Sequence, residues 1–433
     1  MKTLLKLWLL VLAVYLFAMA SVMFSIPPAP ALLNLYLYVM DNRWETRGVV
    51  ERVKSDLDIV PYRVLTRDAG GAPQAKGFRQ IKLPGKAARR ENPHVFLAPE
   101  RKAKLTFLHG VFDFEGALHG AILLDETGQV SHRWLLPELA DYPGKKRDGS
   151  LYPHGVLVDP DGSVTYIFDF GGTINKVDAC GRKIWSRADG HDYNHVLSRA
   201  DDGSIWTIDG QIRAFVRIDP DSGDVIGEIP MEKIVRANLD LGIFTTRFDH
   251  FETGPKALAD PYHANDIEPL TAAMAAAFPM FKAGDLLISL RALNLIFVMD
   301  PDTARVKWYS QGETQLQHDP DFMPNGRIEV LDNHWFKPPS RILSLDPAGG
   351  PSQVVLDGAS QDFFSPNRGK FEGSDGGRLV TSSKQGRVFE LDANGRKVFE
   401  FVNTYDDKEG LRALISEAMV LPMDYFTDLP DCD

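Results

Sequence analysis

Two cysteines in 433 residues, Cys180 and Cys432, are too few and too far apart to build a cysteine-based zinc site. They leave either one disulfide or two unrelated thiols, and the spacing alone does not choose. Positive charge is also scarce. With 48 Lys and Arg against 59 Asp and Glu, the net charge is -11 and the pI is near 5.5, and no basic stripe is available to neutralise the phosphates of a nucleic-acid partner. Low-complexity sequence is missing as well, so nothing points to a long disordered region; residues 68–91, rich in Gly, Ala, Lys and Arg, read as an exposed loop or linker. Hydrophobic runs of membrane-spanning length come down to one. It covers residues 7–26, is interrupted only by Ser21 and Ser25, follows Lys2 and Lys6, and ends at Pro27-Pro28. A twenty-residue, mostly apolar run behind a positive end reads as an uncleaved signal anchor, with a signal peptide cut after Ala18-Met19-Ala20 as the alternative. Either reading sends the body across the membrane, to the periplasmic or extracytoplasmic face, with anchoring in the inner membrane preferred. Residues 31–40 read as a following interfacial or packing helix.

What the sequence does have is repetition. Six times a hydrophobic run ends in Asp, turns, and resumes as an apolar or aromatic strand: Asp125 before Trp134, Asp178 before Trp185, Asp219 before Ile229, Asp300 before Trp308, Asp346 before Val355 and Asp392 before Phe399. Short strands punctuated by Asp-Gly, Asn-Gly and Asp-Pro turns are antiparallel hairpins. A unit of roughly 40 to 50 residues with about four strands is a propeller blade. The expected fold is therefore all-β, a six-bladed β-propeller. The interval from Asp219 to Asp300 is nearly double, which leaves seven blades as the alternative; six is preferred, with residues 235–262 as a long insertion over the top face. The expected division is residues 1–27 for targeting, 28–100 as an extension, 101–405 as the propeller and 406–433 as a tail. Trp134, Trp185, Trp206 and Trp308 fall in strand patterns and read as packing between blades.

Four histidines recur at one point of the repeat, in Pro153-His154-Gly155, Asn194-His195-Val196, His263-Ala264-Asn265 and Gln317-His318-Asp319, each followed by a Gly-containing turn. Like repeats arranged in a ring gather such residues around one axis, where several imidazoles can hold an anion. The segments His263-Ala264-Asn265-Asp266-Ile267, Gly284 through Arg291, Trp308 and Gln317-His318-Asp319 through Asn333 resemble the bacterial arylsulfate sulfotransferase family over about residues 105–401. The resemblance implies a periplasmic six-bladed propeller that passes a sulfuryl group from a phenolic sulfate ester to a phenol, independently of PAPS and without a cofactor or metal. It implies His318 as the nucleophile, with His263, Asn265 and Arg291 binding the donor, and His195 as the best match to a further histidine, a role that His154 or His191 also fits. His154 is counted with the substrate-binding set. An Ala- and Met-rich insert, residues 271–281, means that Arg291 is placed by its strand and not by its spacing from His263.

Sulfuryl transfer suits these residue types. Charge spreads over the sulfuryl oxygens and the departing phenolate, so positioned donors supply most of the catalysis. A neutral imidazole is a competent nucleophile, and a guanidinium fork matches two oxygens. Arg291 stands on an apolar strand, where an arginine is costly unless paired. His250, Asn333 and His334 read as structural or rim residues. Two other classes stay open: a propeller enzyme in which the histidines bind a metal (a lyase, hydrolase or quinoprotein), and a non-catalytic binding module. The expected partners are a phenolic sulfate donor, a phenol acceptor and the membrane, with homo-oligomerisation open.

Overall fold

A computed structural model of the protein describes residues 65–67, 76–84, 91–114, 117–137, 152–169, 171–210, 213–245, 260–334, 337–408 and 410–432. The apolar run of residues 7–26 and His250 lie outside them. Among the described residues no helix is long and apolar enough to cross a membrane.

Six antiparallel sheets stand around one axis. Blade 2 is built from Tyr152–Val158, Val164–Asp169, Ile174–Val177 and Lys183–Arg187. The inner strands of blades 3, 4, 5 and 6 are Tyr193–Arg199, Ala264–Pro269, His318–Phe322 and Lys370–Ser374, followed outward by three more strands in blades 3 to 5 and by five in blade 6. Blade 1 combines the two ends of the ring: Ile415–Leu421 is its inner strand, paired with Leu105–Phe114 and followed by Ala117–Leu124 and Val130–Leu135. The count is six, and the long interval holds an insertion. Its described part includes the helix Met231–Ala237, whose Met231 and Ile234 pack into the core between blades 3 and 4.

The ring does not end at residue 405. The segment expected to be a tail supplies the strand that closes it, because the apolar side chains Ile415, Ala418 and Leu421 have neighbours only inside blade 1 and its flanks. The expected extension contributes as well. His94–Leu97 pairs with Lys397–Val402 on the outer edge of blade 6, covering an edge that would otherwise be open to another chain.

The six turns share one local cause. In each, the Asp side chain accepts the N–H two residues on: Asp125 from Thr127, Asp178 from Cys180, Asp219 from Asp221, Asp300 from Asp302, Asp346 from Ala348 and Asp392 from Asn394. That side-chain turn fixes the register of the two outermost strands. Between blades the tryptophans do what their strand positions imply. Trp134 is fully buried against Phe107 and donates its indole N–H to Gly162 O of blade 2 at 2.8 Å; Trp185 donates likewise to Pro220 O of blade 3. Replacing such a ring by Ala costs about 3 to 5 kcal/mol. Cys180 and Cys432 form a disulfide, with Cα atoms 5.3 Å apart, that fastens the end of the chain to the outer turn of blade 2.

Candidate active site

The inner strands begin at the top face, and their beginnings are irregular. Register slips occur between Pro153 and Val156, between Asn194 and Ser198, between Ala264 and Asp266, and between His318 and Pro320. A β-bulge re-aims a side chain and bends the strand. The recurrent histidines sit at or just before these slips. His195 has φ +65°, His263 +47° and Asp319 +54°, and Arg368, ahead of the blade 6 strand, has +62°. Left-handed backbone at residues other than glycine costs of order 1 to 3 kcal/mol and concentrates at functional sites. At Gly155 a side chain is excluded outright: a Cβ there would lie 2.7 Å from the backbone of Val196 and Leu197. Blades 2 and 3 therefore approach closely enough for their histidines to meet.

The four histidines come together as expected. The rings of His154 and His195 are 4.9 Å apart edge to face, and those of His195 and His263 are 5.1 Å apart. Charge on either His154 or His263 would act on His318, which stands close enough to feel both. Arg291 directly follows the second strand of blade 4, Leu286–Leu290, and opens a short 3-10 turn; its N–H bonds to His263 O at 3.0 Å and its charge acts on His318, so the arginine joins the same cluster. The insert between them leaves this contact intact because it leaves the blade at the opposite end, where Phe278 and Phe281 pack on Phe322. Asn265 is buried and donates to Gln317 O at 2.8 Å, tying blade 4 to the residue before His318. His191 stands aside, its Nδ1 held by Asp209 at 2.5 Å, and the site's third histidine is therefore His195 by position. His334 faces Pro339 O, away from the cluster.

Asn333, read from sequence as structural, decides the chemistry of His318. Its Nδ2 donates to Ser365 O and Arg368 O, both at 2.7 Å. Its Oδ1 must then be the atom facing His318 Nδ1 at 2.6 Å. An acceptor at that nitrogen places the ring proton on Nδ1 and leaves the lone pair on Nε2. Arg368 N–H points at that lone pair from 3.3 Å.

Burial is the largest influence on these imidazoles. It holds His318 well below its ordinary proton affinity, with the Arg291 charge acting in the same direction and the Asn333 bond opposing. His195 is also held well below, and His154 is lowered in spite of Asp169. All three are neutral near pH 7, which a nucleophile requires. Asp260 accepts from His263 Nδ1 at 2.7 Å, which orients that ring.

Asp169 was not legible as a site residue and proves to be a hub. It accepts from His154 Nδ1 at 2.8 Å, from His195 N–H at 3.1 Å and from the Arg368 guanidinium at 2.7 Å. His154, Asp169 and His195 offer ligand atoms within 4.8 Å of one another, a donor set that also suits a transition metal. The three donors already on the carboxylate, one of them cationic, favour an anion over a cation at this place. His195 Nδ1 and Asn265 Oδ1 are buried and lack a partner among the described residues, as polar atoms awaiting a ligand do.

The sequence profile described as Arylsulfotransferase (ASST) matches residues 147–404, more than half of the chain. No curated protein matches it. Among solved structures it is similar to a protein of unknown function from Bacteroides caccae, at 12% identity and TM-score 0.47, covering 74% of this chain and 99% of that one. It is also similar to virginiamycin B lyase from Staphylococcus aureus, at 12% identity and TM-score 0.37, covering 57% and 69%. Likenesses this distant carry no functional argument.

Proposed function

Since the chain belongs to the arylsulfotransferase family, we propose that it moves a sulfuryl group from a phenolic sulfate ester to a phenol, independently of PAPS, through a sulfurylated His318. The observation that carries this reading is the Asn333 bond, which leaves an unprotonated Nε2 on a neutral, buried imidazole. In the first half-reaction the Nε2 lone pair forms an N–S bond as the S–O bond to the aryl group breaks, and the electron pair leaves with the phenol oxygen. The Nδ1 proton stays on the side of Asn333. Arg291 offers its fork to two sulfuryl oxygens, His195 offers an uncharged donor, Asn265 offers its free Oδ1 as an acceptor to the phenol O–H, and His263, oriented by Asp260, exchanges the phenol proton. His154 holds its place through Asp169 and packs on His195. The second half-reaction reverses these steps onto an acceptor phenol, which returns His318 to its starting form.

An extracytoplasmic location is proposed with it, on the strength of the apolar run of residues 7–26, and the Cys180–Cys432 disulfide supports an oxidising compartment. The test is turnover of 4-nitrophenyl sulfate with and without added phenol. Nitrophenol release that rises with phenol and follows ping-pong kinetics is expected. Chelator-sensitive hydrolysis indifferent to phenol would instead favour a metal held by His154, Asp169 and His195.

A further inference from the structure

Around the top face, blades 2 to 5 each present a histidine. Blade 6 presents Arg368 in the equivalent place, and the inner strand of blade 1 starts with apolar Ile415, preceded by Leu414. Arg368 reaches over the blade 1 sector to blade 2, where its guanidinium bonds Asp169 at 2.7 Å and Pro153 O at 3.2 Å. Its carbonyl is held by Asn333, the residue that also holds His318 Nδ1. A closed loop results: His318 Nδ1 to Asn333, Asn333 to the Arg368 carbonyl, and the Arg368 N–H back to His318 Nε2.

Resting on the sulfuryl-transfer reading, we propose that Arg368 is a further residue of the site with two separable contributions, one from its main chain and one from its guanidinium. The main-chain N–H marks the Nε2 lone pair in the resting enzyme. When that lone pair forms the bond to sulfur, the N–H loses its acceptor and becomes available to a sulfuryl oxygen, which stands next to the new bond. This donor is supplied ready-aimed because φ at Arg368 is held at +62°. The guanidinium has a different task. Asp169 is buried behind the rings of the histidine cluster, bonded to the neutral His154 and to the N–H of His195. Without Arg368 its charge would face the sulfate uncompensated, in surroundings where repulsion is poorly screened.

The two contributions predict different kinetic losses. Arg368→Gly keeps the N–H and accepts a left-handed backbone freely; turnover number should change by about 3-fold or less, while KM for 4-nitrophenyl sulfate should rise about 10 to 100-fold. Arg368→Val removes the same charge but resists positive φ. Its kcat should fall a further 10-fold or more, by about one step of transition-state stabilisation. Asp169→Asn combined with Arg368→Gly removes both charges, and KM should return to within about 5-fold of the parent. Unchanged KM in Arg368→Gly, or a double variant no better than Arg368→Gly, would overturn the charge argument. Equal kcat in the Val and Gly variants would overturn the main-chain argument; should the Val variant not fold, Arg368→Ala, which also disfavours positive φ, takes its place. If the parent protein turns over no aryl sulfate, the sulfuryl-transfer reading fails by itself. The charge argument is still decided by the shift in melting temperature with inorganic sulfate in the same proteins, which should shrink in Arg368→Gly and recover in the double variant.

Discussion

The inner strands carry two polar levels, and burial acts on them in opposite directions. At the top, His154, His195 and His318 lose proton affinity and become neutral bases. A few residues farther along the strands, burial pushes Asp266, Glu268 and Glu372 up to about 8 and Glu417 up to about 7, and drives Asp321 upward as well, with Lys370 bonded to Asp319 among them. The lower carboxylates stitch blades together. Glu268 accepts from Phe322 N–H, Asp319 from Phe371 N–H, and Glu372 from Val420 N–H, each on the next blade round the ring. The same device of one polar side chain per blade thus builds a reactive surface at one level and a seam at the other. What separates them is position along the strand: the histidines stand at or just before the bulges, whereas Glu268 and Glu372 reach across from regularly paired strand.

The largest expected difference between the levels is in turnover. His318→Ala should lower sulfuryl transfer by about 1000-fold or more, and remove both the burst of phenol and the added mass on the peptide that carries it. Melting temperature should stay close to the parent's. Full activity in that variant would break the comparison at once. Arg291→Lys keeps the charge and loses the fork, so turnover should fall about 10 to 1000-fold, as read by initial rates on 4-nitrophenyl sulfate. Asn333→Ala frees the His318 tautomer and should cost about 10 to 100-fold in kcat with little change in KM; an effect confined to KM would remove Asn333 from the argument about the nucleophile.

Smaller effects come with pH. Because His318 titrates well below its ordinary value of 6.5, kcat/KM should be flat from pH 8 to below pH 6.5 and fall only in more acid solution. A limb at pH 6.5 would contradict the depression. For stability the levels pull against each other. Histidines with lowered affinity make the unfolded chain bind more protons below about pH 6.5, so their contribution is lost as pH falls through that value. Carboxylates with raised affinity make the folded chain bind more protons, so theirs is lost as pH rises toward 7 to 8. Glu417→Gln keeps an acceptor for Val156 N–H and cannot ionise. Its melting temperature should decline less between pH 6 and 8 than the parent's, by a few degrees, with initial rates within about 3-fold; a steeper decline would reverse the sign assigned to the seam.

The turns and histidines were legible because each is a residue type with one local job. An Asp that caps its own turn and a His at a bulge show in the sequence whatever surrounds them. Arg368 stands 24 residues before Asp392, as His154 does before Asp178 and His195 before Asp219. The spacing was there, but the residue type differed, and only the contact with Asp169 shows that it belongs to the ring. Asn333 and Asp169 act through partners far away in sequence. The acidic seam was hidden for another reason, since alternating carboxylates on a strand normally mean solvent. Closure by Ile415–Leu421 was missed because that strand follows the sixth Asp turn and carries none of the repeat's marks.

That closing strand has a consequence in time. Ile415–Leu421 follows every other blade strand in chain order, yet it pairs with Leu105–Phe114, which is made before any of the inner strands. At about 5 to 20 residues per second, the ribosome leaves that early strand with a bare edge for something like 15 seconds or more. During that interval the histidines already exist, but their spacing is not fixed, because Glu372 has no Val420 to hold and Ser416 cannot bond His154 O. A newborn chain halted before residue 415 would hold every side chain proposed for the reaction, with the ring that fixes their spacing still open.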